Sequence, residues 1–225
     1  MIEFNSPAAD ALNAYFEHCR ETAAEPLRVT NSANSNIGKA LEVFGITEHC
    51  KSNGEPVAYS LPWLHKDVRQ RLIALSGREA YSVNHEEEVD AQIPELTLQD
   101  NHPEVYEQLA EAFFGDIEPI IQALLGHEID SIESIQLAVY EATGGVNKGT
   151  PHTDEDSDIT VTVALNDDYE GGGLELHTGG YKSEVVTMPK LKAGTAAIFK
   201  GRMTVHNGLP VTQGQRNLLV FWCKV

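Results

Sequence analysis

Residues 158–166 read DITVTVALN. Thr160, Thr162 and Ala164 alternate with Ile159, Val161, Val163 and Leu165. In an extended strand successive side chains point to opposite faces. One face of this segment is therefore branched and apolar. The other is small and partly polar, as a cavity wall is, although a solvent-facing sheet shows the same pattern. Outward from it lie more short β-prone runs: SIQLAVYEA (134–142), GLELHT, SEVVTM, GTAAIF, MTVHNG and RNLLVFWCKV, the last ending at residue 225. Gly, Asn, Asp and Pro clusters separate them, the spacing of an antiparallel sandwich or jelly roll.

The region before residue 131 reads differently. NSPAADALNAYFEHCRETAAE opens on a Ser–Pro start signal, and Leu12, Tyr15, Phe16 and Cys19 recur at helical spacing. Residues 30–60 are rich in Asn, Ser and Gly, which predicts irregular structure with short strands. LPWLHKDVRQRLIALSG predicts a helix with Val68, Leu72 and Leu75 on one face and Gly77 as a stop. NHPEVYEQLAEAFFGDIEPIIQALLG predicts one or two helices with a break at Pro119. Helices first and strands later give an α+β fold. The expectation is a single domain over 1–225, with 1–130 a mainly helical support region and 131–225 the jelly-roll core.

Composition excludes several classes. The net charge is −18, and the 16 Lys and Arg are scattered without a basic stripe. Nucleic acid and anionic membrane surfaces are therefore not expected partners. The acidity fits solubility, with a basic substrate as the sharper reading. Three distant cysteines, Cys19, Cys50 and Cys223, suggest neither a disulfide framework nor a zinc ribbon. No signal peptide and no apolar run of about 18 residues is visible, so the expected location is cytoplasmic. Oligomeric state is not legible.

PHTDED at 151–156 places His152 and Asp154 two positions apart. If extended, both project from one face and can share a metal ion. A His-x-Asp alone is common on surfaces. Of the nine histidines, His206 in MTVHNG lies on a later predicted strand and is the best third ligand. Two histidines and a carboxylate on one face of a metal match the facial triad of non-haem Fe(II) oxygenases, with the opposite face open. The same three would suit Zn²⁺ with water as fourth ligand. Arg216 is the discriminator. On the terminal strand it shares parity with Leu218, Val220 and Trp222, while Leu219, Phe221 and Cys223 face the other way. An inward arginine needs a partner, either one of the chain's many acids or the carboxylate of a ligand.

The set HTD (152–154), ALNDDYEGGGLEL (164–176), KAGTAAIF (192–199), VHNGLPV (205–211) and GQRNLLVFW (214–222) resembles the Fe(II)- and 2-oxoglutarate-dependent dioxygenases, in particular the prolyl-4-hydroxylase-like branch. The resemblance covers about residues 135–225. It implies a double-stranded β-helix (jelly roll) buttressed by N-terminal helices. It implies His152, Asp154 and His206 as iron ligands and Arg216 as partner of the distal carboxylate of 2-oxoglutarate. It implies Tyr140 as a cosubstrate contact, with Leu174 and Trp222 walling the pocket; each of these three is equally consistent with ordinary core. Two positions depart from the pattern: Gly149 and Ala164 stand where members often carry an aromatic residue.

The implied reaction consumes 2-oxoglutarate and O₂ and hydroxylates an unactivated C–H, with ascorbate as a possible stimulant. The expected substrate is an amino-acid side chain such as proline in a protein or peptide. A free amino acid or small metabolite is the alternative, and a non-oxygenase metal-binding jelly roll is the competing class. His177, of the same parity as Glu175, is expected to face solvent. NHEEEVD (84–90) reads as a solvated loop or lid, and EGGG (170–173) as a turn without phosphate chemistry.

Overall fold

The computed structural model describes residues 45–75, 81–85, 89, 92–179 and 183–225. The helix expected around Leu12–Cys19, the stop at Gly77 and most of the acidic run at 84–90 lie outside the described residues.

Twelve strands are described: β1 (Thr47–Cys50), β2 (Pro56–Pro62), β3 (Glu95–Thr97), β4 (Ser131–Glu141), β5 (Ile159–Ala164), β6 (Glu170–Gly171), β7 (Leu174–Thr178), β8 (Glu184–Met188), β9 (Thr195–Phe199), β10 (Val205–Gly208), β11 (Val211–Gln213) and β12 (Gln215–Lys224). A seven-stranded sheet runs β1-β2-β9-β5-β12-β4-β3, and a three-stranded sheet β10-β7-β8 faces it. Every pairing is antiparallel. This is the expected double-stranded β-helix, and each of the seven β-prone runs in the second part of the chain is a strand.

Four helices are described: α1 (Lys66–Ile73), α2 (Leu98–Asn101), α3 (Pro103–Asp116) and α4 (Glu118–Leu125). Pro103 and Pro119 each sit in a first helical turn, where the missing N–H is no loss. The break between α3 and α4 therefore falls where Pro119 predicts it. Val68 and Leu72 of α1, Leu109 and Phe113 of α3, and Ile120, Ile121 and Leu124 of α4 are buried. They pack on Ile135, Leu137, Ile159, Val161, Val163, Ile198, Leu219 and Phe221, the apolar face of the large sheet. Phe113 stacks on Phe221 at 5.1 Å between centroids, and Trp63 lies against Phe221 at 5.5 Å. The Trp63 indole N–H donates to Asp116 at 3.0 Å, fixing α3 to the sheet.

Residue 131 does not mark an edge of the sheet. β1, β2 and β3 come from before it and join the large sheet at both margins. β2 pairs along β9 from Ala58↔Phe199 to Pro62↔Thr195. The segment read as helical support thus also widens the sheet. β1 and most of β2 fall in the 30–60 segment, where short strands are expected; β3, three residues long, carries too few alternations to stand out in the sequence.

With one sheet face under the helices, the other encloses the space between the two sheets. Thr160, Thr162 and Ala164 point into that space, and their alternates into the helix-covered core.

Candidate metal centre

The segment leading to His152 runs antiparallel to β10. His152 N–H donates to His206 O at 3.0 Å, His206 N–H returns to His152 O at 2.8 Å, and Gly149 N–H reaches Gly208 O at 3.0 Å. This cross-strand pairing sets the two imidazoles side by side, centroids 4.4 Å apart. Asp154, two residues on, completes the group. Its Oδ1 lies 3.5 Å from His152 Nε2 and its Oδ2 3.5 Å from His206 Nε2. One ligand atom from each residue lies within 4.8 Å of the other two.

The hydrogen bonds around the imidazoles fix their tautomers. His152 Nδ1 is 2.8 Å from Thr150 O, and His206 Nδ1 is 2.9 Å from Thr204 O. A carbonyl only accepts, so both Nδ1 atoms carry the proton. Both Nε2 lone pairs then face the space beside Asp154, as metal ligands require. Thr160 Oγ1 donates to Asp154 Oδ2 at 2.5 Å. The Phe199 ring meets His206 edge-on at 4.7 Å.

The turn between β9 and β10 closes over the carboxylate. Asp154 N–H donates to Gly201 O at 3.2 Å, and Arg202 N–H to Ser157 O at 2.7 Å. A Cβ on Gly201 would overlap Thr160 Oγ1 and stand 2.9 Å from Asp154 Oδ2. Only glycine lets the turn approach this closely.

Charge follows the geometry. Burial alone would raise the Asp154 pKa; the neighbouring His152 and His206 imidazoles and the hydrogen bond from Thr160 outweigh it and hold the carboxyl below its ordinary value. Burial pushes His206 below the ordinary imidazole value. Both groups are therefore in their ligating forms at neutral pH.

Arg216 projects from the start of β12 into the same inter-sheet space and is 8% exposed. Its Nη1 donates to Gly173 O at 3.0 Å, and its guanidinium carbon lies 5.2 Å from the centroid of the Tyr140 ring. Buried Nε has no partner, and no carboxylate among the described residues reaches ion-pair distance. A buried cation left this way is costly, so the structural salt bridge is not its role here. Arg216 lines a pocket between the sheets that is partly open to solvent. Thr162, Ala164, Ala197, Leu174 and Leu218 form much of its wall. The donors fit both groups that the fold implies: two imidazoles and a carboxylate suit Fe(II), and a guanidinium without a carboxylate partner suits a carboxylate of 2-oxoglutarate.

Of the other sequence-predicted residues, Tyr140 stands opposite Arg216 on the neighbouring strand, and Leu174 lines the pocket. Trp222 shares the inward face of β12 but is not among the lining residues; its register partner is Thr160, toward the triad. His177 lies on the outer face of the small sheet, bonded through Nε2 to Asn207 Oδ1 at 3.0 Å. Thr160, Gly201 and Tyr169, not singled out in the sequence, also build the site. Thr160 carried a signal, as one of two threonines on an otherwise small strand face.

Residues 135–224 match the model of the 2OG-Fe(II) oxygenase superfamily. No curated protein matches the chain by sequence. Among solved structures, a prolyl-4-hydroxylase from Pseudomonas putida is similar with a TM-score of 0.57 and 17% identity, over 75% of this chain and 92% of that one. A prolyl hydroxylase from Trichoplax adhaerens, in complex with a hypoxia inducible factor oxygen degradation domain peptide fragment, is similar at 0.56 and 16%, over 82% and 86%. The non-haem alpha-ketoglutarate-dependent carbocyclase of nogalamycin biosynthesis is similar at 0.58 and 15%, over 88% and 86%. The residues that match the 2OG-Fe(II) oxygenase model hold the triad and the buried arginine.

Proposed function

We propose that the protein hydroxylates an amino-acid side chain, such as proline, within a protein or peptide, using Fe(II), 2-oxoglutarate and O₂. The observation that carries the substrate class is the openness of His152, whose side chain is 48% exposed beside a buried Asp154. A side chain carried on a peptide can reach a site open on that flank without entering a closed cavity. Two structures of similar fold are prolyl hydroxylases.

His152, Asp154 and His206 would hold the metal, with Thr160 fixing the carboxylate. Arg216 would take the distal carboxylate of 2-oxoglutarate from inside the barrel, beside the small side chains of Thr162, Ala164 and Ala197. When bound, iron with the cosubstrate and O₂ supplies the oxidising power that inserts one oxygen atom into a C–H, releasing succinate and CO₂. The protein's own part is to orient the ligands.

The similarity to a carbocyclase favours a second reading, a small-metabolite substrate. Incubation with a proline-containing peptide library and, separately, with free amino acids distinguishes the two. The proposal expects a peptide product heavier by one oxygen atom. Oxygen gain only among the free amino acids would replace it with the second reading.

A further inference from the structure

The inward faces of β4 and β12 change character along their length. At one end Arg216, Leu218, Ala138 and Tyr140 are buried between the sheets. Toward the other end Gln136, Val220 and Trp222 are only partly covered. Register sets this open end in two rows across the large sheet. Thr97, Gln136, Val220 and Thr162 stand side by side on β3, β4, β12 and β5. Ser134, Trp222 and Thr160 form the next row. Thr160 is the residue that holds Asp154, so the strip begins at the metal centre.

Its polar groups are unused. Among the described residues, the side chains of Ser134, Gln136 and Trp222 make no hydrogen bond, and Thr97 does not cap the helix it precedes. Ser134 is 8% exposed, and a buried hydroxyl without a partner costs free energy. None of these side chains is charged. Glu95, the acid on the same face of β3, has an interaction of its own.

A free amino acid carries an ammonium and a carboxylate close to its side chain, and both need charged partners when they leave water. Backbone amides do not. Each offers one N–H and one C=O; the Gln136 amide offers the complementary pair, and the Ser134 hydroxyl can donate or accept. Strands lie about 4.8 Å apart, so Ser134 and Gln136 stand about 10 Å across the sheet from β5, a distance about three extended residues span.

We propose that Ser134 and Gln136 are specificity-determining residues that hold the backbone amides flanking the oxidised residue of a polypeptide substrate. This rests on the functional reading above and names how the site tells a residue within a chain from a free amino acid.

The test follows oxygen gain by mass spectrometry in N-acetyl amino-acid N-methylamides and in the matching free amino acids, proline among them, with wild type, Gln136→Leu and Ser134→Ala. Wild type is expected to oxidise a capped amino acid with a lower KM than its free form. Leaving a buried amide without its partner corresponds to about 5-fold to 100-fold. Gln136→Leu should raise the capped KM by such a factor, move kcat less, and shrink the difference between capped and free forms; Ser134→Ala should act in the same direction. Mn(II) affinity and melting temperature should stay at their wild-type values. A capped KM unchanged in Gln136→Leu would overturn the assignment and leave the peptide reading intact. An equal rise for capped and free forms, or a weakened Mn(II) affinity, would make Gln136 structural and overturn it as well. Oxygen gain confined to the free amino acids, or absent from both sets, would overturn the assignment together with the peptide reading.

Discussion

Thr160 shows how a single side chain tunes the centre. It donates to Asp154 Oδ2 while facing the cavity from β5, so the carboxylate keeps one orientation and a lowered pKa. Loss of such an outer hydrogen bond weakens metal binding by about 10-fold to 100-fold. Thr160→Val is accordingly expected to bind Fe(II) or Mn(II) that much more weakly, while Thr160→Ser retains most of the affinity. Equal affinities for the valine variant and wild type in a metal titration would deny Thr160 this role. At this scale the sequence is partly readable. His152, Asp154 and Arg216 declare themselves through strand parity, which depends only on neighbours in the chain. Gly201 and Tyr169 do not, because what makes each matter is a neighbour brought by folding: Asp154 against Gly201, and Arg216 in the same pocket wall as Tyr169.

At the scale of the element, β12 is the strand that joins stability to chemistry. Arg216 and Leu218 face the pocket, while Leu219, Phe221 and Cys223 face the helices. Each face can therefore be altered separately. Phe221→Ala removes a fully buried ring stacked on Phe113 and is expected to cost about 3–5 kcal/mol, measured by denaturant unfolding. Metal affinity of the folded fraction should stay near that of wild type. A large loss of metal affinity without a loss of stability would contradict the two-faced reading. The long alternating strands β4, β5 and β12 are evident from sequence because they repeat the period of two several times. β1 and β3 span four and three residues, and β2 is bounded by Pro56 and Pro62. Their place in the sheet comes from pairing with distant strands, which local pattern does not encode.

For the whole molecule, the fold places a water-excluding core on one side of the large sheet and a ligand space on the other. One partly buried and one buried imidazole link it to pH. Burial holds His49 below the ordinary imidazole value, where its Nε2 lies 2.9 Å from Ser60 Oγ, and His206 is held low by burial as well. Both stay neutral in the native chain at a pH where the unfolded chain would protonate them. Below about pH 6.5 the unfolded state binds more protons, so stability of the metal-free protein falls as pH drops. Thermal melts from about pH 7.5 to about pH 5.5 should show this decline, and His49→Gln, which does not titrate, should flatten part of it. A slope unchanged in the variant would remove His49 from the account. The central claim is the pairing of an iron triad with a cosubstrate-binding arginine. It is tested most directly by succinate formation from 2-oxoglutarate with Fe(II), ascorbate and O₂, without added substrate, in wild type, His152→Ala and Arg216→Ala. The account predicts slow succinate release by wild type, abolished in His152→Ala and weakened in Arg216→Ala. Succinate release that persists unchanged in both variants, or a wild type that neither turns over nor binds 2-oxoglutarate when loaded with metal, would contradict it.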